Sequence, residues 1–569
     1  MAVSNSEIAA VLDEVAALLE ISGASFFRVR AYETASRVVR DLSRPVSRMI
    51  KDPDADLTEL PGVGKDLASK ITEIATTGDL PLRRELEEQV PTGLMDVTKI
   101  AGLGPRKAYA LYLALGVTDL DSLLEAARSG KVKTVKGFGP KTEANILEGI
   151  YAVKGLGRRL LWSDAEPIAA RVVEHMKALA GVERAVAAGS FRRLKDTVGD
   201  LDVLVVCADA EAAGEHFVSL PGVTRVIARG PTRSSVVVDD GVQVDIRVVE
   251  AGSWGSALQY FTGSQAHSIA LRSMALRKGL KLNEYGVFRE EDRVAGETEE
   301  DVYASLGLPW IAPELRENRG EISAAFEGSL PSLVELRDIR GDLHVHVETG
   351  EDGGTLAEIV KAARRKGYLY IAVTNRAGSE ADGKALLETW KRIDRVNQTG
   401  SGLHVLRGVE VEILSSGTLA LRDELLSHAD IVVAAIHTDT RMNRPRMTRR
   451  VIKAMSHRHV DVLAHPTGRV LGETLPYQVS MDEVIAAAAR YDVALELNAC
   501  PRRLDIDDLA CHSARDHGVK IVVATDAHSA RELDYMRFGI HQARRGWLEK
   551  GDVLNTMTYR SLVKYLRHR

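Results

Sequence analysis

Cysteine, a basic excess and long apolar runs are all scarce or missing in this sequence. Three cysteines in 569 residues, Cys207, Cys500 and Cys511, form no CxxC pair and exclude a disulfide framework or a cysteine-rich zinc module. No apolar run approaches the roughly 18 residues that cross a bilayer, so a membrane-spanning protein is excluded. The net charge of -5 excludes a uniformly basic coat for nucleic acid but leaves room for local patches.

What is present is a long chain of ordinary globular composition. With 569 residues, the chain is expected to form about three to five domains. Hydrophobic residues make up 45% and charged residues 27%, which is typical of folded domains with real cores. The first stretch, "MAVSNSEIAAVLDEVAALLE", lacks a basic start before an apolar block and has the pattern of an amphipathic helix. A cytoplasmic protein is therefore expected.

The first third of the chain contains an internal repeat. The segments "ELPGVGKDLASKI", "KIAGLGPRKAYAL" and "TVKGFGPKTEANI" each place a Gly-x-Gly pair before a helical pattern. The pairs are Gly62 and Gly64, Gly102 and Gly104, and Gly137 and Gly139. Glycine allows a positive φ, and the free N–H groups of the following helix can then meet a phosphate. A single copy is equally compatible with a plain helix-to-helix turn, but three copies favour phosphate binding.

Two acids stand one residue apart at the mouth of an apolar run in "GSFRRLKDTVGDLDVLV". Residues two apart project to the same face of a strand, so Asp200 and Asp202 point together. A further strand, "GVQVDIRVV", supplies Asp245. Three converging carboxylates are costly unless a cation neutralises them, and oxygen ligands suit Mg²⁺ or Mn²⁺. The alternative is that Asp200 and Asp202 merely end a strand in solvent.

The second half of the chain alternates strand and helix patterns after "GDLHVH". Repeated βα units predict a barrel, with the active site at the C-terminal ends of its strands. Histidines and acids fall at those ends: His344, His346, Glu410, His437, His465, Asp526 and His528. Any one of them could be an ordinary core or surface residue. Seven at strand ends predict a metal cluster.

Residues 1 to 320 resemble the family X DNA polymerases. The resemblance is carried by "GSFRRLKDTVGDLDVLV", "QVDIRV", "ALQYFTGSQAH" and "KGLKLNEYGVF", which follow helix-hairpin-helix repeats in that order. It implies that the three acids bind two metal ions, with Asp245 also helping to activate the primer 3′-hydroxyl, and that the six repeat glycines contact the DNA backbone. It further implies a nucleotide-binding set made of Gly189, Ser190 and Arg193 around the triphosphate, Tyr260, Phe261 and Gly263 beside the sugar and base, and Arg272 towards the template. One departure is Gln243, where animal members carry an arginine.

The same resemblance places Lys70 where deoxyribose-phosphate lyase members carry their Schiff-base lysine. Such a nucleophile needs a pKa lowered by burial or by neighbouring cations. The alternative is a phosphate-binding or solvated helix lysine.

Residues 338 to 569 resemble the polymerase and histidinol phosphatase (PHP) domain through "GDLHVH", "AHPTGR", "LELNACPRRLD" and "TDAHS". The resemblance implies a Mn²⁺ or Zn²⁺ cluster with 3′-to-5′ exonuclease or phosphoesterase activity. Two positions depart from the pattern: Glu351 replaces an aspartate, and Arg376 replaces a ligand histidine. An arginine cannot ligate a cation and repels one nearby, so fewer ions and reduced activity are expected. Alternatively, the domain is structural or contacts DNA through the basic stretch 444–459.

Together these patterns predict a multidomain α+β protein. Its helical helix-hairpin-helix region precedes a nucleotidyltransferase-type palm with a thumb and a C-terminal distorted (β/α) barrel of the PHP type. The expected segments are a lyase-like domain (1–80), fingers (81–155), palm (156–250), thumb (251–318), linker (319–337) and PHP domain (338–569).

The expected function is template-directed gap filling in DNA repair with gapped or primed DNA and dNTPs as partners. A monomer at the nucleoid, without membrane contact, is expected. The alternatives are a nucleotidyltransferase acting on RNA or a small molecule, a DNA-binding scaffold, and a nuclease or phosphoesterase as the main activity. The intact acids count against the scaffold, and the hairpins and "YFTGS" count against the other nucleotidyltransferases.

Overall fold

The computed structural model describes residues 5–42, 46–50, 52, 55–91, 93–98, 100, 102–153, 159–230, 232–238, 241–347, 354–400 and 402–567. The chain forms two compact units, Met1–Arg158 and Arg159–Arg569. Every helix among the described residues is too short or too polar to span a bilayer.

The first unit is helical. Its helices are α1 Asn5–Ile21, α2 Phe26–Asp41, α3 Val46–Met49, α4 Lys65–Thr77, α5 Pro81–Gln89, α6 Leu94–Thr98, α7 Pro105–Leu115, α8 Leu120–Arg128 and α9 Pro140–Val153. Helices α4, α7 and α9 each begin directly after a Gly-x-Gly pair, as predicted. The first glycine of each pair, Gly62, Gly102 and Gly137, has φ of +79°, +83° and +92°, which explains why glycine is used. The three predicted hairpins are confirmed.

The palm opens the second unit with a mixed sheet. Its strands are β1 Leu160–Leu161, β2 Val182–Ala187, β3 Thr197–Val198, β4 Asp200–Cys207, β5 Arg225–Arg229, β6 Arg233–Val238 and β7 Val242–Val249, and its helices are α10 Trp162–Lys177, α11 Gly189–Arg192 and α12 Ala210–Val218. Five strands form one sheet in the order β2-β4-β7-β6-β5, with β4 and β7 parallel.

The two faces of this sheet have different partners. Alternate residues such as Val203 and Val205 pack in one core with residues of α10 and α12. Leu204, on the opposite face, packs against Leu258, which belongs to the first α-helix after the sheet. Strand residues two apart share a face, so the acids of β4 lie on the Leu204 side.

The thumb follows the palm. Its elements are α13 Trp254–Thr262, α14 Gln265–Arg277, β8 Lys281–Asn283, β9 Gly286–Arg289, β10 Asp292–Ala295 and α15 Glu299–Ser305, and α16 Glu321–Glu327 comes after it. The segment predicted as an irregular linker therefore contains a helix. Buried Glu321 accepts hydrogen bonds from the backbone N–H groups of Asn318 and Arg319 and pairs with buried His267, which orders this region.

The remaining residues form the predicted barrel. Its strands are β11 Gly341–Val345, β12 Tyr370–Val373, β13 Arg376–Ala377, β14 His404–Glu412, β15 Ile431–Ala435, β16 Val462–Leu463, β17 Ala494–Asn498 and β18 Ile521–Ala524. Its helices are α17 Leu356–Arg365, α18 Asp382–Gln398, α19 Asp423–Leu426, α20 Arg444–Met455, α21 Met481–Tyr491, α22 Asp508–Asp516, α23 Met536–Arg545 and α24 Tyr559–Arg567. Every strand pairing is parallel, and a bridge between Val345 and Ala527 brings the first and last strands together.

The barrel and the palm share a core within the second unit. Leu504 and Phe538 of the barrel are buried in the same apolar cluster as Trp162 of the palm. At its edge, Arg537 forms a bidentate ion pair with Glu166, with both N–O distances at 2.6 Å. The barrel therefore contributes side chains to the core that supports the palm sheet.

Candidate active sites in the palm and the barrel

The three predicted palm acids lie on two adjacent parallel strands. Asp202 of β4 stands directly opposite Asp245 of β7, and Asp200 lies two residues earlier on the same face. Asp245 is buried, Asp202 is half-buried and Asp200 is exposed. Burial, together with the neighbouring charges of Asp200 and Asp245, raises the pKa of Asp202 to about 6. A divalent cation would relieve this crowding of like charges.

Asp245 is held by two side chains. Arg233 of β6 donates a hydrogen bond from Nη2 to Oδ2 at 3.0 Å, and Gln243 donates one from Nε2 to Oδ1 at 3.1 Å. Where the described residues place three ligand atoms within 4.8 Å of one another, the sets all belong to the barrel. The three palm acids are therefore less closely grouped than the barrel sets. A cation at Asp245 would compete with the hydrogen bonds from Arg233 and Gln243. Sequence reasoning missed Arg233, a charged residue that begins the mostly buried strand "RSSVVV".

The Gly189–Ser190 turn is fitted against the acids. Gly189 has φ of +60°, and a Cβ at this position would lie 2.6 Å from Oδ2 of Asp202. The backbone N–H of Ala188 donates to the carbonyl of Asp202 at 2.7 Å. The turn that the sequence predicts for phosphate binding and the acids that it predicts for metal binding are thus neighbours, with Ser190 half-buried beside them.

Arg193 is anchored at the end of this turn. It donates from Nε to Glu317 Oε1 at 3.0 Å and from Nη1 to the carbonyl of Thr262 at 2.6 Å. Arg192 instead makes a bidentate pair with Glu299 at 2.8 and 2.7 Å, which ties the palm to the thumb. Among the described contacts of Arg193, none engages Nη2, so that nitrogen is available to donate to a ligand.

The "YFTGS" residues lie at the end of α13, and Gly263 among them lies beside Arg193. The rings of Tyr260 and Phe261 meet edge to face at 5.1 Å, and the guanidinium of Arg272 lies 5.9 Å from the centre of the Tyr260 ring. Gly263 has φ of +66°, and a Cβ there would lie 3.3 Å from Arg193 Nη1. The structure therefore brings Gly263 and Arg193 together, while Tyr260 and Arg272 form a neighbouring cation–π pair.

The repeat glycines face open space in the first unit. Gly64 and Gly104 are the N-caps of α4 and α7. A Cβ would meet no atom within 4 Å at five of the six positions: Gly64, Gly102, Gly104, Gly137 and Gly139. At the sixth, Gly62, a Cβ would lie 2.8 Å from Cγ2 of Thr34. An open helix N-terminus with accessible backbone is what a phosphate contact requires.

Lys70 is surrounded by groups that stabilise its charge. Its Nζ lies 2.6 Å from Asp66 and 5.3 Å from the centre of the Tyr32 ring. Burial lowers the pKa of Lys70, but the hydrogen bond to Asp66 and the nearby Tyr32 outweigh burial, and the pKa is raised overall. A Schiff-base nucleophile needs the opposite shift. The lyase role stays a prediction that this environment disfavours.

All seven described candidate ligands of the barrel come together. The Nε2 atoms of His344 and His346 lie 3.1 Å apart, and His346 Nε2 lies 3.0 Å from Asp526 Oδ1. Glu410 Oε1 lies 3.1 Å from His437 Nε2 and 3.3 Å from His465 Nε2. The three compact sets are His344, His346 and Glu410, then His346, Asp526 and His528, and finally Glu410, His437 and His465. Glu351 lies outside the described residues.

A second layer of acceptors and donors orients these ligands. Glu496 accepts from Nδ1 of His344 at 2.8 Å, Glu412 faces Nδ1 of His437 at 2.8 Å, and Asn498 donates to Asp526 at 3.0 Å. Such contacts turn Nε2 inward and fix the tautomer, as in metal sites. Facing Nε2 atoms beside buried carboxylates form a donor set that fits Mn²⁺ or Zn²⁺. Sequence reasoning missed these residues, although Glu412 lies two residues after Glu410 on β14, and Glu496 and Asn498 lie two residues apart on β17.

Arg376 is exposed at the edge of this cluster and contacts one of its buried acids. It is opposite Glu410 in the pairing of β13 with β14, and its Nε donates to Glu410 Oε2 at 2.8 Å. The guanidinium therefore occupies one oxygen of a carboxylate that would otherwise face a cation. The pKa of Glu410 is held well below its usual range because hydrogen bonds from His437 and His465 outweigh burial.

Family models match four parts of the chain. A helix-hairpin-helix domain matches residues 3–80, a tandem helix-hairpin-helix model matches 94–150, the DNA polymerase beta palm matches 159–243 and the DNA polymerase beta thumb matches 257–317.

Relatives match the whole chain or a part of it. The DNA polymerase/3'-5' exonuclease PolX of Bacillus subtilis (strain 168) is 34% identical over 573 residues, covering 99% of both chains. A probable phosphatase of Thermoanaerobacter sp. (strain X514) is 27% identical over 226 residues, 38% of this chain and 89% of its own. DNA polymerase lambda of Rattus norvegicus is 27% identical over 345 residues, 55% of this chain and 56% of its own.

Proposed function

The chain belongs to the family X DNA polymerases that carry a C-terminal PHP domain, and from this premise we propose that it fills short gaps in DNA by a two-metal nucleotidyl transfer. The observation that carries the proposal is the juxtaposition of Asp202 and Asp245 on neighbouring strands beside the Gly189–Ser190 turn. In this proposal the hairpins of the first unit hold the gapped or primed duplex by its backbone.

Each part of the palm site has a chemical task in this proposal. Mg²⁺ or Mn²⁺ ions held by Asp200, Asp202 and Asp245 would neutralise charge on the attacking and leaving oxygens. Asp245 accepts the proton of the primer 3′-hydroxyl or orients that hydroxyl. The turn N–H groups, the Ser190 hydroxyl and Arg193 bind the triphosphate of the dNTP by charge-assisted hydrogen bonds.

The test uses a 5′-labelled primer on DNA with a one-nucleotide gap, incubated with Mg²⁺ or Mn²⁺, with and without dNTPs. Asp245→Asn keeps the shape of the side chain and removes its charge. We expect primer extension to fall by about a thousandfold. His344→Ala, in the barrel, is the matched control and retains extension. Extension that survives Asp245→Asn would contradict the proposed catalytic triad.

A second activity, 3′-to-5′ cleavage of DNA or another phosphoester, is favoured by the barrel cluster itself. Its histidines and acids would hold Mn²⁺ or Zn²⁺, which supplies an activated water and polarises the phosphate. Arg376 removes one oxygen of Glu410 from that task, so we propose that this domain holds fewer ions than its family and cleaves slowly.

Arg376→His tests this second activity. Replacing the guanidinium with an imidazole restores a neutral ligand and frees Glu410, so Mn²⁺ binding measured by calorimetry and primer shortening without dNTPs both increase. Arg441→His, at an exposed position after the His437 strand, is the control. Unchanged binding and cleavage in Arg376→His would show that Arg376 is not the cause of a weak site.

A further inference from the structure

Arg545 belongs to the last turn of α23 in the barrel, but its side chain ends at the palm. The residue is 3% exposed. Its Nη1 donates to the backbone carbonyl of Arg193 at 2.8 Å and to Glu317 Oε1 at 3.1 Å, and its Nη2 pairs with Asp508 of α22. Three partners from three parts of the second unit thus share one buried guanidinium.

The guanidinium of Arg545 is linked to Arg193 in two ways, directly at the backbone and through Glu317 at the side chain. The Arg193 backbone N–H closes the Gly189–Ser190 turn by donating to the Gly189 carbonyl at 3.2 Å, and the Arg193 carbonyl accepts directly from Arg545. The Arg193 side chain is held by Glu317, the same carboxylate that Arg545 contacts. Burial raises the pKa of Glu317, but the charges of Arg193, Arg545 and Lys195 outweigh it and keep the pKa below its usual value. Glu317 is therefore an ionised bridge between the two arginines.

This junction carries more positive than negative charge. Arg193, Lys195, Arg319 and Arg545 face two carboxylates, those of Glu317 and Asp508, so four cations meet two anions. Arg545 is buried, Arg193 and Lys195 are half-buried, and Arg319 is exposed. Water therefore screens part of the excess, and the remainder is costly unless a further partner compensates it. The triphosphate of a nucleotide bound at the turn would supply that negative charge.

We propose that Arg545 of the barrel is a positioning residue for the polymerase reaction. It holds the backbone and side chain of Arg193 in the geometry that binds the triphosphate of the incoming dNTP. The barrel thereby contributes to nucleotide binding in the palm without touching the nucleotide. This inference rests on the role given to Arg193 under the proposed function.

The first experiment measures KM for dNTP and kcat at saturating gapped DNA in the full chain. Arg545→Met, which keeps the length of the side chain but no donor, raises KM for dNTP by about tenfold and changes kcat by less than about threefold. Arg545→Lys restores the charge and recovers part of the loss. Arg544→Met is the control, because Arg544 is the preceding residue of the same helix and pairs instead with Glu314 and the Val334 carbonyl.

A double-mutant cycle with Arg193→Met separates positioning from general support. If Arg545 acts through Arg193, the rise in KM in the double variant is smaller than the product of the two single rises, because Arg193→Met has already removed the side-chain route and only the contact to the backbone carbonyl at position 193 remains. Additive losses, or an Arg544→Met effect as large as that of Arg545→Met, would overturn the positioning role while leaving the phosphate role of Arg193 intact. An unchanged KM in Arg193→Met alone would instead refute the phosphate role in the proposed function.

Glu317→Gln is a second variant that tests the same proposal if Arg545→Met fails to fold. It keeps the shape of the bridge and removes its charge, and the same rise in KM for dNTP is expected. Thermal unfolding and the Kd for gapped DNA are measured alongside for every variant. A rise in KM with unchanged DNA affinity supports the proposal, and an unchanged KM in a folded Glu317→Gln variant overturns it.

Discussion

At Gly189, one added carbon would collide with the carboxylate of Asp202, one of the three acids proposed to be catalytic. We expect Gly189→Ala to lower primer extension by at least about a hundredfold, because its Cβ would lie 2.6 Å from Asp202 Oδ2 and displace it. The matched control is Gly279→Ala, where φ is also positive, +69°, but no atom lies within 4 Å. Both variants carry about 1–2 kcal/mol of backbone strain. Equal losses of activity in the two would mean that strain, not the carboxylate, is responsible.

His541 provides an acid-sensitive position at the palm–barrel core. Burial, helped by Arg537, lowers the pKa of His541 to about 4. Between pH 6.5 and 4 the unfolded chain binds a proton at this position and the folded chain does not. The stabilisation is therefore complete above pH 6.5 and is lost as the pH falls towards 4, by about 3 kcal/mol at most.

His541→Phe keeps the ring contact with Trp162 and removes the titration. We expect the free energy of unfolding of the second unit to fall less steeply between pH 6.5 and 4, as measured by urea unfolding. The exposed His517→Phe is the control and keeps the wild-type slope. An identical slope in His541→Phe would exclude this histidine as the source of acid sensitivity.

At the scale of the element, the proposed DNA contact of a helix hairpin lies at the turn before its second helix. Gly102 precedes α7 with φ of +83°, and Gly116 ends the same helix with φ of +69°. Neither has an atom within 4 Å of a Cβ, so alanine strains the backbone equally at both ends. We expect Gly102→Ala to weaken binding of gapped DNA by about five- to tenfold and Gly116→Ala to leave it within twofold.

The measurement is fluorescence anisotropy with labelled gapped DNA at two salt concentrations. Both variants lose similar thermal stability, which shows that the strain is matched. A loss of affinity in Gly116→Ala equal to that in Gly102→Ala would indicate a general destabilisation of the hairpin and no phosphate contact at its turn.

At the scale of the whole molecule, the palm and the barrel depend on one another. Phe538 and Leu504 pack with Trp162, and burial of each such side chain is worth about 1.5–3 kcal/mol. We expect residues 159–569 expressed alone to unfold cooperatively. Residues 159–337 alone, without the barrel, are expected to melt at a lower temperature and to bind an apolar dye. Equal melting of the two fragments would show that the palm needs no support from the barrel.

Local patterns determined much of this protein. The Gly-x-Gly repeats, the alternating strand with Asp200 and Asp202, and the βα units with candidate ligands at several strand ends follow from the periodicity of side chains within single elements. Such patterns do not need the rest of the chain. For that reason the three hairpins, the sheet and the barrel could be predicted, although the helix in the expected linker could not, because its order depends on buried Glu321 and His267.

Only the tertiary structure decided which distant residues complete each site. Arg233 holds Asp245 from a neighbouring strand, Glu496 orients His344 across 152 positions, and Arg545 reaches Arg193 across 352 positions. The sequence by itself thus determined the chemistry of the two sites, because reactive groups are arranged by strand and turn periodicity. The fold decided how those groups are held, because ion pairs between remote elements depend on packing, which no local pattern encodes.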